Sequence, residues 1–149
     1  MAMQKITVGT VLAIAVIGMV VSALGVLVAT RTISNTGNMR AIGVGVYWDS
    51  GCTNATSSIN WGALDSGSTK NVTIYIRNEG SVVVTLSMTT ANWNPASASS
   101  YVSLSWNREN YVLSSGSVVS AVLTLSVSSG ISGITSFSFD IIITGTERT

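Results

Sequence analysis

In residues 70–78 apolar side chains take every second position: Val72, Ile74 and Ile76 alternate with Thr73, Tyr75 and Arg77. A period of two puts neighbouring side chains on opposite faces of an extended chain, so the segment is a half-buried strand and not an amphipathic helix. The beat recurs. Val84, Leu86 and Met88 mark residues 82–90, and Val102, Leu104 and Trp106 mark 101–106. Val119, Ala121, Leu123, Leu125 and Val127 mark 118–127, and Phe137, Phe139, Ile141 and Ile143 mark 136–144. Nearer the N-terminus, Ile42, Val44, Val46 and Trp48 share one face of residues 39–49, while Ile59, Trp61 and Ala63 mark a shorter strand. These seven strands, with no helical period after residue 31, predict a mainly β domain. Turns such as Asn78-Glu79-Gly80-Ser81 predict local returns, hence a seven-stranded antiparallel two-sheet sandwich.

Residues 6–30 are of another kind. Between Lys5 and Arg31 stand 25 consecutive uncharged residues, and the polar interruptions are the hydroxyls Thr7, Thr10, Ser22 and Thr30. As a helix rising about 1.5 Å per residue the run extends roughly 38 Å, enough for a hydrocarbon core of about 30 Å. Three readings stand open. The run is a permanent membrane anchor, or a signal peptide cut at the small-x-small site Ala23-Leu24-Gly25, or a helix that leaves the bilayer to pack with copies of itself. Small residues four apart (Gly9/Ala13, Gly18/Ser22, Gly25/Ala29) permit close helix approach in the first and third cases. Each reading takes the chain into or through the cytoplasmic membrane during biogenesis, and composition favours an extracellular β domain. The chain thus divides into a hydrophobic N-terminal helix, residues 1–31, and a β domain, residues 32–149.

Charge excludes several functions. Residues 32–149 hold five basic side chains (Arg40, Lys70, Arg77, Arg108, Arg148) and six acidic ones (Asp49, Asp65, Glu79, Glu109, Asp140, Glu147). Such a near-neutral domain has no basic patch, so nucleic acid is not an expected partner. The sequence has no histidine, which removes His-based triads and His metal sites. The carboxylates are scattered over strand ends and turns, with no spacing for a general acid and base pair. Asp49 with Asn54 offers calcium two ligands but no EF-hand spacing. The expectation is no enzyme, no catalytic residue, no cofactor and no metal. Cys52 is the only cysteine, so it is either a plain loop thiol or half of an intermolecular disulfide.

Binding candidates remain. Alternation turns Trp48, Trp61 and Trp106 inward, whereas Trp93, in the loop Ala91-Asn92-Trp93-Asn94-Pro95, is placed to stay partly exposed. There it either stacks on a sugar or a neighbouring subunit, or pins its own loop to the sandwich. Asn54-Ala55-Thr56 and Asn71-Val72-Thr73 are N-glycosylation sequons, with Asn54 in a loop the better acceptor and Asn71 opening a strand. Hydroxyl-rich strands also leave few charged residues to guard a sheet edge against another chain.

The run Val-Thr-Ile-Tyr-Ile-Arg-Asn-Glu-Gly-Ser-Val-Val-Val-Thr-Leu-Ser-Met at 72–88 resembles the repeated signature of Ig-like surface domains of archaea and bacteria. That resemblance implies an Ig-like sandwich and carries fold rather than function. The whole layout, a basic start, an apolar helix and a Ser/Thr-rich sandwich, is similar to archaeal type IV pilins. In these the helices bundle in the filament core and glycosylated sandwiches coat it. Thr36-Gly37-Asn38-Met39-Arg40-Ala41-Ile42-Gly43 resembles the segment just after the leader in TasA/camelysin fibre proteins. The second resemblance implies that residues 32–46 insert as a strand into the next sandwich. Both imply a non-enzymatic extracellular filament subunit whose partner is itself, a homopolymer. The competing expectation is a membrane-tethered Ig-like adhesive or glycan-binding module that uses Trp93 to grip surface glycans or other cells.

Overall fold

The computed structural model describes residues 33–149. The 6–30 run, the expected helix and its small-residue spacing lie outside the described residues. What is described is mainly β: nine strands in two sheets, with one short 3-10 turn at Ala96–Ser100. Among these residues no helix is long and apolar enough to cross a membrane. The strands are β1 (Ser34–Ile42), β2 (Gly45–Tyr47), β3 (Ser58–Ile59), β4 (Thr69–Arg77), β5 (Val84–Asn94), β6 (Val102–Trp106), β7 (Val112–Leu113), β8 (Val118–Val127) and β9 (Ser136–Glu147). The larger sheet has the order β3-β1-β9-β5-β7, and the smaller β2-β4-β8-β6.

Alternation located the inward faces of the long strands correctly. Ile74 and Ile76 of β4, Leu123 and Leu125 of β8, and Phe139, Ile141 and Ile143 of β9 are all buried. Each such side chain contributes roughly 1.5–3 kcal/mol by leaving water, so the core between the sheets is the main stabilising element. β8 and β9 run inside their sheets, β8 burying its whole inward face and β9 its inward face from Phe137 to Ile143.

Pairing departs from the expectation in three ways. The count is nine strands rather than seven, because β1 and the two-residue β7 add to the predicted set. The sheet is not purely antiparallel: β1 lies parallel to β9 across nine positions, from Ser34 opposite Ser136 to Ile42 opposite Thr144. Nor is pairing local. β4 and β5 flank the 78–81 turn, yet β4 pairs with β2 and β8 while β5 pairs with β7 and β9. The turn therefore crosses from one sheet to the other. Its physical cause is Asn78, fully buried, whose Nδ2 donates to Val82 O at 2.7 Å and Leu113 O at 3.0 Å while its Oδ1 accepts Gly80 N–H at 3.0 Å. The amide fills the gap between the sheets that a hairpin would have closed with backbone bonds.

The expected 39–49 strand is also two strands. Gly43 has φ +76, a left-handed conformation that ends β1 before β2 begins. The turn reverses the parity of the inward face: Asn35 and Gly37 face inward in β1, Val44 and Val46 just beyond it. Ile42 and Trp48, expected inside, are 49% and 37% exposed. The short third strand shrinks likewise to Ser58–Ile59; Trp61 is buried, but Ala63 is exposed.

Candidate functional site

The β2–β3 loop holds Cys52 and the Asn54 sequon. Asp49 organises it, its carboxylate accepting Thr53 N–H at 3.0 Å, Thr53 Oγ1–H at 2.6 Å and Asn54 N–H at 2.9 Å. The Thr53 side chain and the Asn54 amide hold the Asp49 carboxyl below its ordinary value. Those bonds turn the oxygens toward the loop's own backbone, and no cluster of three acidic or cysteine side chains suited to a metal occurs among the described residues. Cys52 sits at φ 56 in the turn closed by its N–H on Asp49 O at 3.1 Å, and burial pushes its thiol up. A thiol held protonated is a poor nucleophile.

The two sequons sit differently. Asn54 is exposed, but Thr56 is 7% exposed and its hydroxyl has no partner among the described residues. Asn71 and Thr73 are both exposed on the outer face of β4.

Trp93 belongs to β5 rather than to a loop. Between Ala91 and Asn94 the β5–β9 register shifts, and Asn92 at φ 54 is an extra residue. Two residues opposing one is a β-bulge, and it exchanges which side chain points in. Trp93 consequently stacks on Phe139, centroids 4.2 Å apart and planes 6° apart, while its Nε1 donates to Thr90 Oγ1 at 3.2 Å. The ring pins its own strand. The displaced Asn92 points outward and donates to Asp140 Oδ2 at 2.7 Å, and Asn38 approaches Asp140 Oδ1 from β1 at 3.5 Å. Asp140 thus ties β1, β9 and β5 across their outer face. Sequence reasoning missed this clamp because Asn38 reaches Asp140 only through the parallel pairing and Asn92 only through the bulge in β5.

The seat of β1 was also hidden. Asn35 is buried, accepting Trp61 N–H at 2.9 Å and donating to Gly62 O at 2.9 Å. Ile33 N–H donates to Leu64 O at 3.0 Å, and Met39 N–H to Ser57 O at 2.9 Å. Segment 57–64 therefore follows β1 along its outer flank, with the Asn35 amide bridging the stretch where the backbones part. Beside it lies a cavity of about 480 Å³ lined by Ser34, Asn35, Thr36, Asn60, Gly62, Ala63, Ser136 and Phe137. No sequence signal marked Asn35: it precedes the expected 39–49 strand, and the even-numbered inward face expected there would place it outward. Trp48 and Trp106 lie partly exposed, and only Trp61 is fully inside.

These surfaces offer hydroxyls, amides and backbone edges, and their chemistry is that of strand pairing and packing. No family model matches the chain, and no curated protein matches it.

Proposed function

We propose that this chain is a non-enzymatic structural protein of the cell surface, the subunit of an extracellular pilus-like filament assembled through its N-terminal segment, with residues 32–149 forming an Ig-like sandwich. The observation that carries the reading is the junction near residue 33. A 25-residue uncharged run leads within four residues into β1, an interior strand of the larger sheet. The strand that follows the run is held by a nine-position ladder to β9. A connection this short in sequence suits force transmitted from subunit to subunit, whereas a tethered binding module is better served by a long Gly/Ser-rich spacer. The adhesive alternative keeps a half-buried Trp93 whose ring already stacks on Phe139 with one face, which leaves less of it for a glycan.

Two assembly routes follow. In the helical-core route the 6–30 run packs with its copies and β1 stays in its own sheet. In the strand-donation route the leader is cut, and residues 32–46 leave for the equivalent seat in the next subunit, where backbone hydrogen bonds hold them. Mass spectrometry of the native N-terminus separates the routes: a start at or before Ile6 supports the helical core, a start near Val26 or Thr30 strand donation. Negative-stain microscopy tests the function itself. Ordered fibres are expected, and persistent monomers in mild detergent would sink it.

A further inference from the structure

The flanks of the two sheets are finished differently. In the larger sheet, the β5 flank is closed beyond β7 as far as Met88, by Leu86 N–H on Tyr111 O, Asn110 N–H on Leu86 O, and Met88 N–H on the Glu109 carboxylate. β1 is closed by segment 57–64 as described. In the smaller sheet both flanks stay open. Val127 N–H donates to Ser68 O at 2.9 Å, which with the 69↔126 register makes the even residues of β4 the ones bonded to β8. The odd residues face the other way, and β2 takes up Tyr75 and Arg77 alone. Thr69, Asn71 and Thr73 are left with outward N–H and C=O groups that have no partner among the described residues. At the other edge, Ser128 N–H donates to Tyr101 O at 2.7 Å, so Ser103 and Ser105 bond β8. Val102, Leu104 and Trp106 turn their backbone groups outward, likewise unpartnered among the described residues. Past Trp106 the edge closes again: Asn107 Oδ1 accepts Val122 N–H at 2.9 Å and Arg108 Nε donates to Ser120 O at 2.7 Å.

We propose that the open flank of β6 in one copy pairs with the open 69–73 flank of β4 in the next, so that the smaller sheet runs on from subunit to subunit. This rests on the filament reading and adds a lateral contact that the N-terminal segment does not make. Three features select a second copy as the occupant. Each open row has three residues at two-residue spacing. Since β4 and β6 are both antiparallel to β8, they run in the same direction, and a copy placed alongside in the same orientation presents β4 to β6 as a parallel pair. In such a pair an outward-bonding residue lies opposite one that bonds inward. Asn71 then stands opposite Ser103 or Ser105, and all three side chains are on the outer face. The polar and apolar faces therefore remain continuous across the junction. Over 69–73 and 102–106 together the single charge is Lys70, so these edges carry few of the charged guards that usually prevent edge pairing. The two surfaces differ, so the contact is heterologous and does not close on itself.

The test uses the full-length chain in a Cys52→Ser background with a short bis-maleimide cross-linker. Pairing Asn71→Cys with Ser103→Cys, or with Ser105→Cys, is expected to give a ladder of covalent multimers in one of the two combinations. Each single cysteine is expected to give no ladder and no dimer. Dimers from any single cysteine would overturn the proposal in favour of a symmetric edge contact. Fibres that form without cross-linking in either combination would overturn it while leaving N-terminal assembly standing; absence of both fibres and cross-links defeats both readings. As a second variant, Asn71→Pro removes an N–H that β8 does not use. It is expected to raise the critical concentration for assembly several-fold with the far-ultraviolet circular dichroism unchanged; unaltered assembly counts against the edge contact.

Discussion

Asn78 shows how one residue sets a path for the chain. Its side chain satisfies two carbonyls and one N–H, and its backbone N–H and C=O are bonded to Ser117 O and Gly116 N–H. Asn78→Ala strips the three side-chain bonds inside the fold, and the expected loss is about 2–4 kcal/mol of unfolding free energy, measured by urea titration. Asp49 gives a pH signature. Its folded value lies below the unfolded one, so its contribution to the loop is present above the unfolded value and disappears as pH falls through the folded value. The Thr53 and Asn54 amide resonances are expected to titrate together with a midpoint below that of an ordinary aspartate, and Asp49→Asn to abolish the transition. Asn78 was legible in the sequence as part of a turn, but one of the bonds that make it a crossover is to Leu113, 35 residues away.

At the scale of elements, alternation worked wherever a strand was long and straight and misled where the backbone turned or bulged. Gly43 and Asn92 each shift the inward face by one residue, and both do so from positive φ, +76 and +54. A Cβ added at Gly43 would stand 2.5 Å from Gly145 O, so this glycine is needed for space as well as conformation. Gly43→Ala is expected to cost at least about 1–2 kcal/mol for the left-handed backbone and more for the collision. Gly133→Ala has a similar φ of +72 in open space and carries only the first term; the difference between their urea midpoints isolates the contact. Residues 64–68 and 113–117 share the pattern Leu-x-x-Gly-Ser and a common structural role. In each a buried leucine precedes a glycine at φ above +70, and β4 or β8 follows.

For the whole molecule the decisive fact is that its first described strand lies against its last. A chain beginning at Gly43 lacks the nine parallel positions along β9 as well as the Asn35 and Asn38 contacts. Its thermal transition is expected to fall sharply. A synthetic peptide of residues 32–46 is expected to restore it in trans if the seat can be filled from outside; no recovery would tell against the strand-donation route. By itself the sequence determined that residues 32–149 make strands, which faces of the long ones are buried, and that no histidine chemistry is available. Those follow from side-chain type and a two-residue period, both local properties. Only the tertiary structure decided which strands meet, that β1 runs parallel to β9, and that the smaller sheet is left open at both flanks. Backbone hydrogen bonds look alike in every strand, so partner choice is settled by the packing of whole faces and by a few buried amides such as Asn35 and Asn78, not by any pattern along the chain.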